Sequence, residues 1–93
     1  MREDVKIVDS QFTDESGITW ELRYYIKIYE EGTDNAAYGI KVEKVNTNLN
    51  KKTSEETKGL THSYKEAEEL AQKLATCTVT PITLHSIIDD LIG

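Results

Sequence analysis

Thirteen residues, Ile18 to Glu30 (ITWELRYYIKIYE), constrain this chain more than any other stretch. Ile18, Trp20, Leu22, Tyr24, Ile26 and Ile28 occupy every even position, with Thr19, Glu21, Arg23, Tyr25, Lys27 and Tyr29 between them. Six alternations without a slip, in residues that favour extended backbone, predict a β-strand with one buried face. A strand needs neighbours, so the other segments are read by what they pair with and what they cover.

Asp4 to Thr13 alternates less cleanly, with Val5 and Ile7 on one face and Val8 and Phe12 on the other, and reads as a strand near the sheet's edge. Asp14-Glu15-Ser16-Gly17 supplies turn chemistry, Gly17 being free to take positive φ, so a hairpin into the central strand follows. Beyond the turn cluster Glu31-Gly32-Thr33-Asp34-Asn35, the run Ala37 to Val45 resumes the alternation and adds Tyr38, Ile40 and Val42 to the same core. Gly39 inside it marks a bulge or a place where a neighbour approaches closely. Residues 46–59 are polar, with Leu49 the one large apolar side chain. They form either a short edge strand around Thr53 to Lys58, where charge blocks unwanted pairing, or a mobile loop.

Helical signals follow. Ser63-Tyr64-Lys65-Glu66 has the spacing of a capping box, and Ala67, Leu70, Ala71, Leu74 and Ala75 form a narrow apolar stripe behind it, ending near Thr76 to Thr78. Thr80 and Pro81 suit the cap and first position of a second helix, whose stripe is Leu84, Ile87, Ile88, Leu91 and Ile92. The predicted fold is therefore α+β: an antiparallel β-meander of three or four strands, then two C-terminal helices on the face carrying Trp20, Leu22, Tyr24 and Ile26. Thirteen strand residues reach roughly 43 Å, whereas the first helix reaches roughly 20 Å. The second helix must cover the remainder, or the strand must bend, or a second molecule must dock.

Ninety-three residues predict a single domain, 1–93. No apolar stretch approaches membrane-spanning length, and MREDVKIVDS lacks the apolar core of an export signal. The lone cysteine, Cys77, allows no internal disulfide, which fits the cytoplasm. A net charge of −6 argues against direct nucleic-acid binding, which needs clustered Lys and Arg, and leaves protein partners open.

No catalytic constellation is legible. His85 and Asp89 are spaced to pair on a helix, as a base and its orienting carboxylate would be, but no nucleophile is tied to them by any motif. His62, Cys77 and His85 lack metal-ligand spacing, the isolated glycines form no phosphate loop, and no cofactor is expected. Cys77 reads as a small, partly buried hydrophobe. Asp89 and Asp90 oppose the dipole at a helix C-terminus, a cost tolerated by solvation or by a basic partner.

The Tyr38-Gly39-Ile40 strand, the capped helix with Glu68-Glu69-Leu70, the Val79-Thr80-Pro81 entry and the Leu84 to Asp90 helix resemble a family of short Firmicutes (clostridial-type) proteins catalogued as a domain of unknown function. The resemblance covers about Tyr38 to Ile92. It implies a bacterial, cytoplasmic protein and carries no activity, ligand or site residue with it.

The remaining feature is the polar face of the central strand. Arg23, Tyr25, Lys27 and Tyr29 lie in one row, and Tyr and Arg are enriched at protein interfaces. Cross-strand Tyr–Lys and Arg–Glu pairs on a solvated face would produce the same row. The expected function is a non-enzymatic protein-binding or regulatory module that engages another protein or a second copy of itself as a homodimer. The alternative is an acidic inhibitor, of the kind phages encode, that occupies the nucleic-acid-binding surface of a target protein. No membrane partner is expected.

Overall fold

The computed structural model describes residues 5–30 and 36–92, with the backbone alone at 91 and 92. The turn cluster Glu31 to Asn35, the strand start at Asp4 and the side chains of Leu91 and Ile92 therefore lie outside the described residues. Four strands, β1 (Val5–Thr13), β2 (Thr19–Tyr29), β3 (Ala37–Asn46) and β4 (Lys51–Glu56), form one antiparallel sheet in chain order. Helix α1 (Tyr64–Thr76), a 3-10 turn (Pro81–Thr83) and helix α2 (Leu84–Ile92) follow. The α+β architecture is the one the alternation predicts.

The even face of β2 is the floor of the core. Leu22, Tyr24 and Ile26 are fully buried, and Ile40 and Val42 stand opposite Ile26 and Tyr24 on β3. Ala67, Ala71 and Leu74 of α1, then Val79, Leu84 and Ile88, close over them. The alanines let α1 approach closely, and it packs on β1, β2 and β3, while the 3-10 turn packs on β3 and β4. Division of the sheet between the two helical segments resolves the length mismatch.

One corner departs from expectation. Trp20 is only half-buried and is not among the side chains packed on the core cluster. Its ring is covered instead by Lys44, whose Nζ lies 4.4 Å from the Trp20 centroid and 5.5 Å from that of Phe12. A cation over two aromatic rings caps the end of the apolar face that the helices leave uncovered. Trp20 Nε1 donates to Asp14 Oδ2 at 2.9 Å, and Asp14 Oδ1 accepts the Ser16 and Ile18 amides. The turn and the tryptophan are thereby locked together, with Gly17 at φ +84°.

β1 contains a bulge between Lys6 and Val8. The slip puts Val5 opposite Ile26 and Val8 opposite Tyr24, so Val5 and Val8 share a face that the uninterrupted alternation would have split. Ile7 and Val8 both pack on the core. Residues 51–56 form the fourth strand, two residues earlier than the expected Thr53, and all six are exposed.

Gly39 shows why it must be glycine. Its pairing with Lys27 is regular, but a Cβ there would lie 2.6 Å from the Lys58 carbonyl oxygen and 2.9 Å from Thr57 Oγ1. After β4 the chain folds tightly against β3 at this point: Thr57, itself buried, accepts the Ile40 amide on Oγ1 and donates to the Lys58 carbonyl. Close approach, not a bulge, is the reason for the glycine.

Helix ends follow the predicted chemistry in part. Ser63 Oγ accepts the Glu66 amide at 3.3 Å, but the Glu66 carboxylate is taken by the Thr61 hydroxyl at 2.6 Å and the Ser63 amide donates to Thr61 Oγ1. Only one half of the capping box forms. Between the helices, Thr78 at φ +53° reverses the chain, and Tyr24 Oη donates to the Val79 carbonyl at 2.8 Å. Burial pushes the Tyr24 hydroxyl up to about 12, with Cys77 adding to the shift, so this donor stays neutral.

Two substitutions test these contacts by chemical denaturation. Tyr24→Phe orphans the buried Val79 carbonyl and should lower stability by about 1–3 kcal/mol with an unchanged denaturant slope. Gly39→Ala should cost about 1–3 kcal/mol through overpacking, although alanine is ordinarily the better strand residue by about 0.5–1 kcal/mol.

Candidate protein-interaction face

The helices lie on one side of the sheet, and the odd residues of β2 face the other. Antiparallel register sets Arg23 between Asp9 and Glu43, and Tyr25 between Lys6 and Lys41. Lys27 stands opposite Gly39 and Tyr29 opposite Ala37. Opposed residues share a face, so Arg23, Tyr25, Lys27 and Tyr29 form one row as predicted. Alternate residues on a strand put about 7 Å between successive members.

All four side chains are half-buried, because their polar ends are engaged within the sheet. Arg23 Nε pairs with Glu21 Oε1, which raises the guanidinium's already high pKa. Lys27 Nζ lies 3.1 Å from Glu56 Oε2 on β4. Tyr29 Oη donates to the Thr57 carbonyl at 2.8 Å, reaching over the tight passage beside Gly39. Tyr25 Oη donates to Glu43 Oε1 at 3.0 Å, and Lys41 Nζ lies 5.6 Å from the Tyr25 ring centroid.

Glu43, which the alternation places on this face with Lys41 and Val45, is its hub, a role the alternation does not give. Only 6% exposed, it accepts from Tyr25 and lies 3.5 Å from Lys41 Nζ and 3.6 Å from Lys52 Nζ through Oε2. Burial pushes its carboxyl up, but the Tyr25 hydroxyl, Lys52 and Lys41 outweigh that, so Glu43 titrates below the ordinary value of 4.5. Tyr25 moves the other way: burial, and then donation to a carboxylate, raise its hydroxyl. The signal for Glu43 is indirect: it is the one acid on β3, opposite Arg23 on β2 and Ser54 on β4, with Lys41 two residues away on its own strand and Lys52 diagonal to it on β4.

The residues weighed for chemistry lie apart. His85 Nε2 is 3.5 Å from Glu55 Oε1 on β4, so the carboxylate it meets is Glu55 and not the Asp89 that helical spacing offers. His62 Nδ1 is 2.8 Å from the Ala36 carbonyl oxygen in an exposed position. Cys77 caps the end of α1 and is exposed, which corrects the expectation of partial burial. Among the described residues no group of three or more His, Cys, Asp or Glu side chains could hold a metal ion, and no helix is long and apolar enough to cross a membrane.

Residues 3–93 match the profile of a family described as a family of unknown function (DUF6514). The match extends into the segment before Tyr38, beyond the resemblance carried by the helices and the Gly39 strand. No curated protein and no solved structure matches the chain.

The Glu43 hub predicts an acid limb in the stability profile. A folded-state pKa below the unfolded value contributes stability that is present above pH 4.5 and lost as pH falls through the folded value. Glu43→Gln should flatten part of that loss in thermal melts between neutral pH and pH 3, while lowering stability at pH 7.

Proposed function

The chain belongs to DUF6514, a family of unknown function, and we propose that it is a non-enzymatic protein-binding module whose contact surface is the outer sheet face around Arg23, Tyr25, Lys27 and Tyr29. One observation carries the reading. Both helices pack on the opposite side, leaving this row of two tyrosines, an arginine and a lysine on a sheet face that no described element layers over. Half-buried tyrosines with fixed hydroxyls present their rings at little entropic cost, which is how aromatic contact residues gain affinity. A bacterial, Firmicutes origin and a cytoplasmic location complete the reading, supported by the resemblance over Tyr38 to Ile92 and by the single cysteine.

Charge placement bears on the alternative, an acidic inhibitor of a nucleic-acid-binding protein. The outer face is balanced: Lys6, Arg23, Lys27, Lys41 and Lys52 face Asp9, Glu21, Glu43 and Glu56. The excess acid of the chain therefore lies elsewhere, at Asp14, Glu15 and Glu30 beside the strand ends and on the helices, where Glu66, Glu68, Glu69, Asp89 and Asp90 outnumber Lys65 and Lys73. An inhibitor of that class would dock through its helices and not through Tyr25.

Immobilised wild type and an Arg23→Glu/Tyr25→Ala/Tyr29→Ala variant, exposed to the same bacterial lysate, separate the two. Retention of a partner by the wild type should fall at least tenfold in the variant, with circular dichroism unchanged and little sensitivity to salt. Equal capture by both, with steep loss between low and physiological ionic strength, would transfer the contact to the helices.

A further inference from the structure

Strand β4 reads Lys51-Lys52-Thr53-Ser54-Glu55-Glu56, and every residue of it is exposed. It is the last strand of the sheet, paired with β3 on one side only. The ladder fixes which backbone groups remain. Thr57 donates its amide to the Ile40 carbonyl, so the residues two, four and six positions earlier (Glu55, Thr53 and Lys51) also turn their backbone groups toward β3. Lys52, Ser54 and Glu56 turn theirs outward, and among the described residues no strand meets them.

We propose that β4 is a self-pairing edge, joining two copies of this chain in an antiparallel, two-fold dimer with a continuous eight-stranded sheet. A dyad perpendicular to the sheet keeps opposed side chains on the same face only if like-numbered parity meets across it. Centred on Ser54, it sets Ser54 against the partner's Ser54, Lys52 against the partner's Glu56, and Glu56 against the partner's Lys52. This register engages all three outward residues of each copy and forms about six backbone hydrogen bonds. Shifting the dyad to Thr53 would set Lys52 against the partner's Ser54 and leave Glu56 without an opposed cation.

Charges on an edge normally prevent pairing. Here their order decides which pairing is prevented. Two lysines followed four residues later by two glutamates oppose unlike charges only when the second strand runs antiparallel; a parallel, in-register copy would set lysine on lysine. Lys52 and Glu56 already lie 3.6 Å from Glu43 and 3.1 Å from Lys27 within one copy, and at 61% and 52% exposure they retain room to reach across. The dimer would extend these pairs into rows running from Lys27 through Glu56 to the partner's Lys52 and the partner's Glu43. Ile82, 89% exposed, belongs to the 3-10 turn that packs against this same strand, so an unburied apolar side chain stands on the element beside the edge. The edge is a different surface from the Arg23–Tyr29 row, and neither reading needs the other.

Sedimentation equilibrium at low salt, from roughly 10 µM to 1 mM, covers the range in which an interface below standard size associates. The wild type should dimerise within it. Lys52→Glu and Glu56→Lys should each weaken self-association at least tenfold, and an equimolar mixture of the two should restore it as a heterodimer, because unlike charges again oppose. Ser54→Pro, at a position whose N–H points away from β3, should keep the circular dichroism spectrum and be monomeric. A wild type monomeric throughout, a dimer indifferent to these changes, or a mixture that fails to reassociate would each overturn the self-pairing edge.

Discussion

The hydrogen bond from Tyr24 to the Val79 carbonyl joins residues 55 positions apart, and the arrangement of the layers depends on it. Tyr24 is fully buried at the centre of β2, so its hydroxyl needs a partner in the core. The linker between the helices supplies one. Thr78 adopts φ +53° and the Val79 amide returns to the Leu74 carbonyl at 3.0 Å, which aims the next carbonyl down at the sheet. One polar contact in an apolar core thus fixes where α1 ends and where the second helical segment starts. Apolar packing alone would allow the helices to slide; a directional bond in a low-dielectric interior does not.

The opposite face is held by different physics. Its members are long, charged or phenolic, and each reaches a neighbour on its own strand, on β3, or across β3: Arg23 to Glu21, Tyr25 to Glu43, Lys27 to Glu56, Tyr29 to Thr57. Exposed ion pairs contribute little individually. Glu43 differs because it is buried beneath its partners, so its carboxylate is stabilised by a phenol and two ammonium groups and does not rely on water. The consequence is a sheet face that is ordered without a second layer of helices.

Much of this fold is written in period-two and period-3.6 patterns, and the misses fall where those patterns carry no information. The even residues of β2, the partners Ile40 and Val42, and the bounds of α1 from Tyr64 to Thr76 all follow from spacing alone. The β1 bulge does not, because one inserted residue swaps the faces downstream and Val5, Ile7 and Val8 fit either register. β4 contains no apolar residue, so its start at Lys51 comes from pairing with β3 and not from its own composition. Trp20 belongs by hydropathy under a helix, yet a cation and a turn aspartate satisfy both its ring and its indole N–H. The row Arg23, Tyr25, Lys27 and Tyr29 was legible as a row, but the inward turn of its polar ends was not. Strand parity gives the side of a sheet; hydrogen bonds depend on what stands across it.

The same distinction governs the charge. A formal −6 invites the picture of an acidic surface, but the ladder distributes ions by register, and the outer face comes out balanced. Arg23 meets acids on both flanking strands, and Lys52 and Lys41 converge on Glu43. What remains acidic lies off this face, at Asp14, Glu15 and Glu30 beside the strand ends and on the helices, where Glu66, Glu68, Glu69, Asp89 and Asp90 outnumber Lys65 and Lys73. A net charge spread evenly would repel a second copy from every direction. Kept off the outer face in this way, it leaves the neutral sheet face, and the edge where lysines and glutamates alternate in blocks, as the surfaces on which another chain meets the least repulsion.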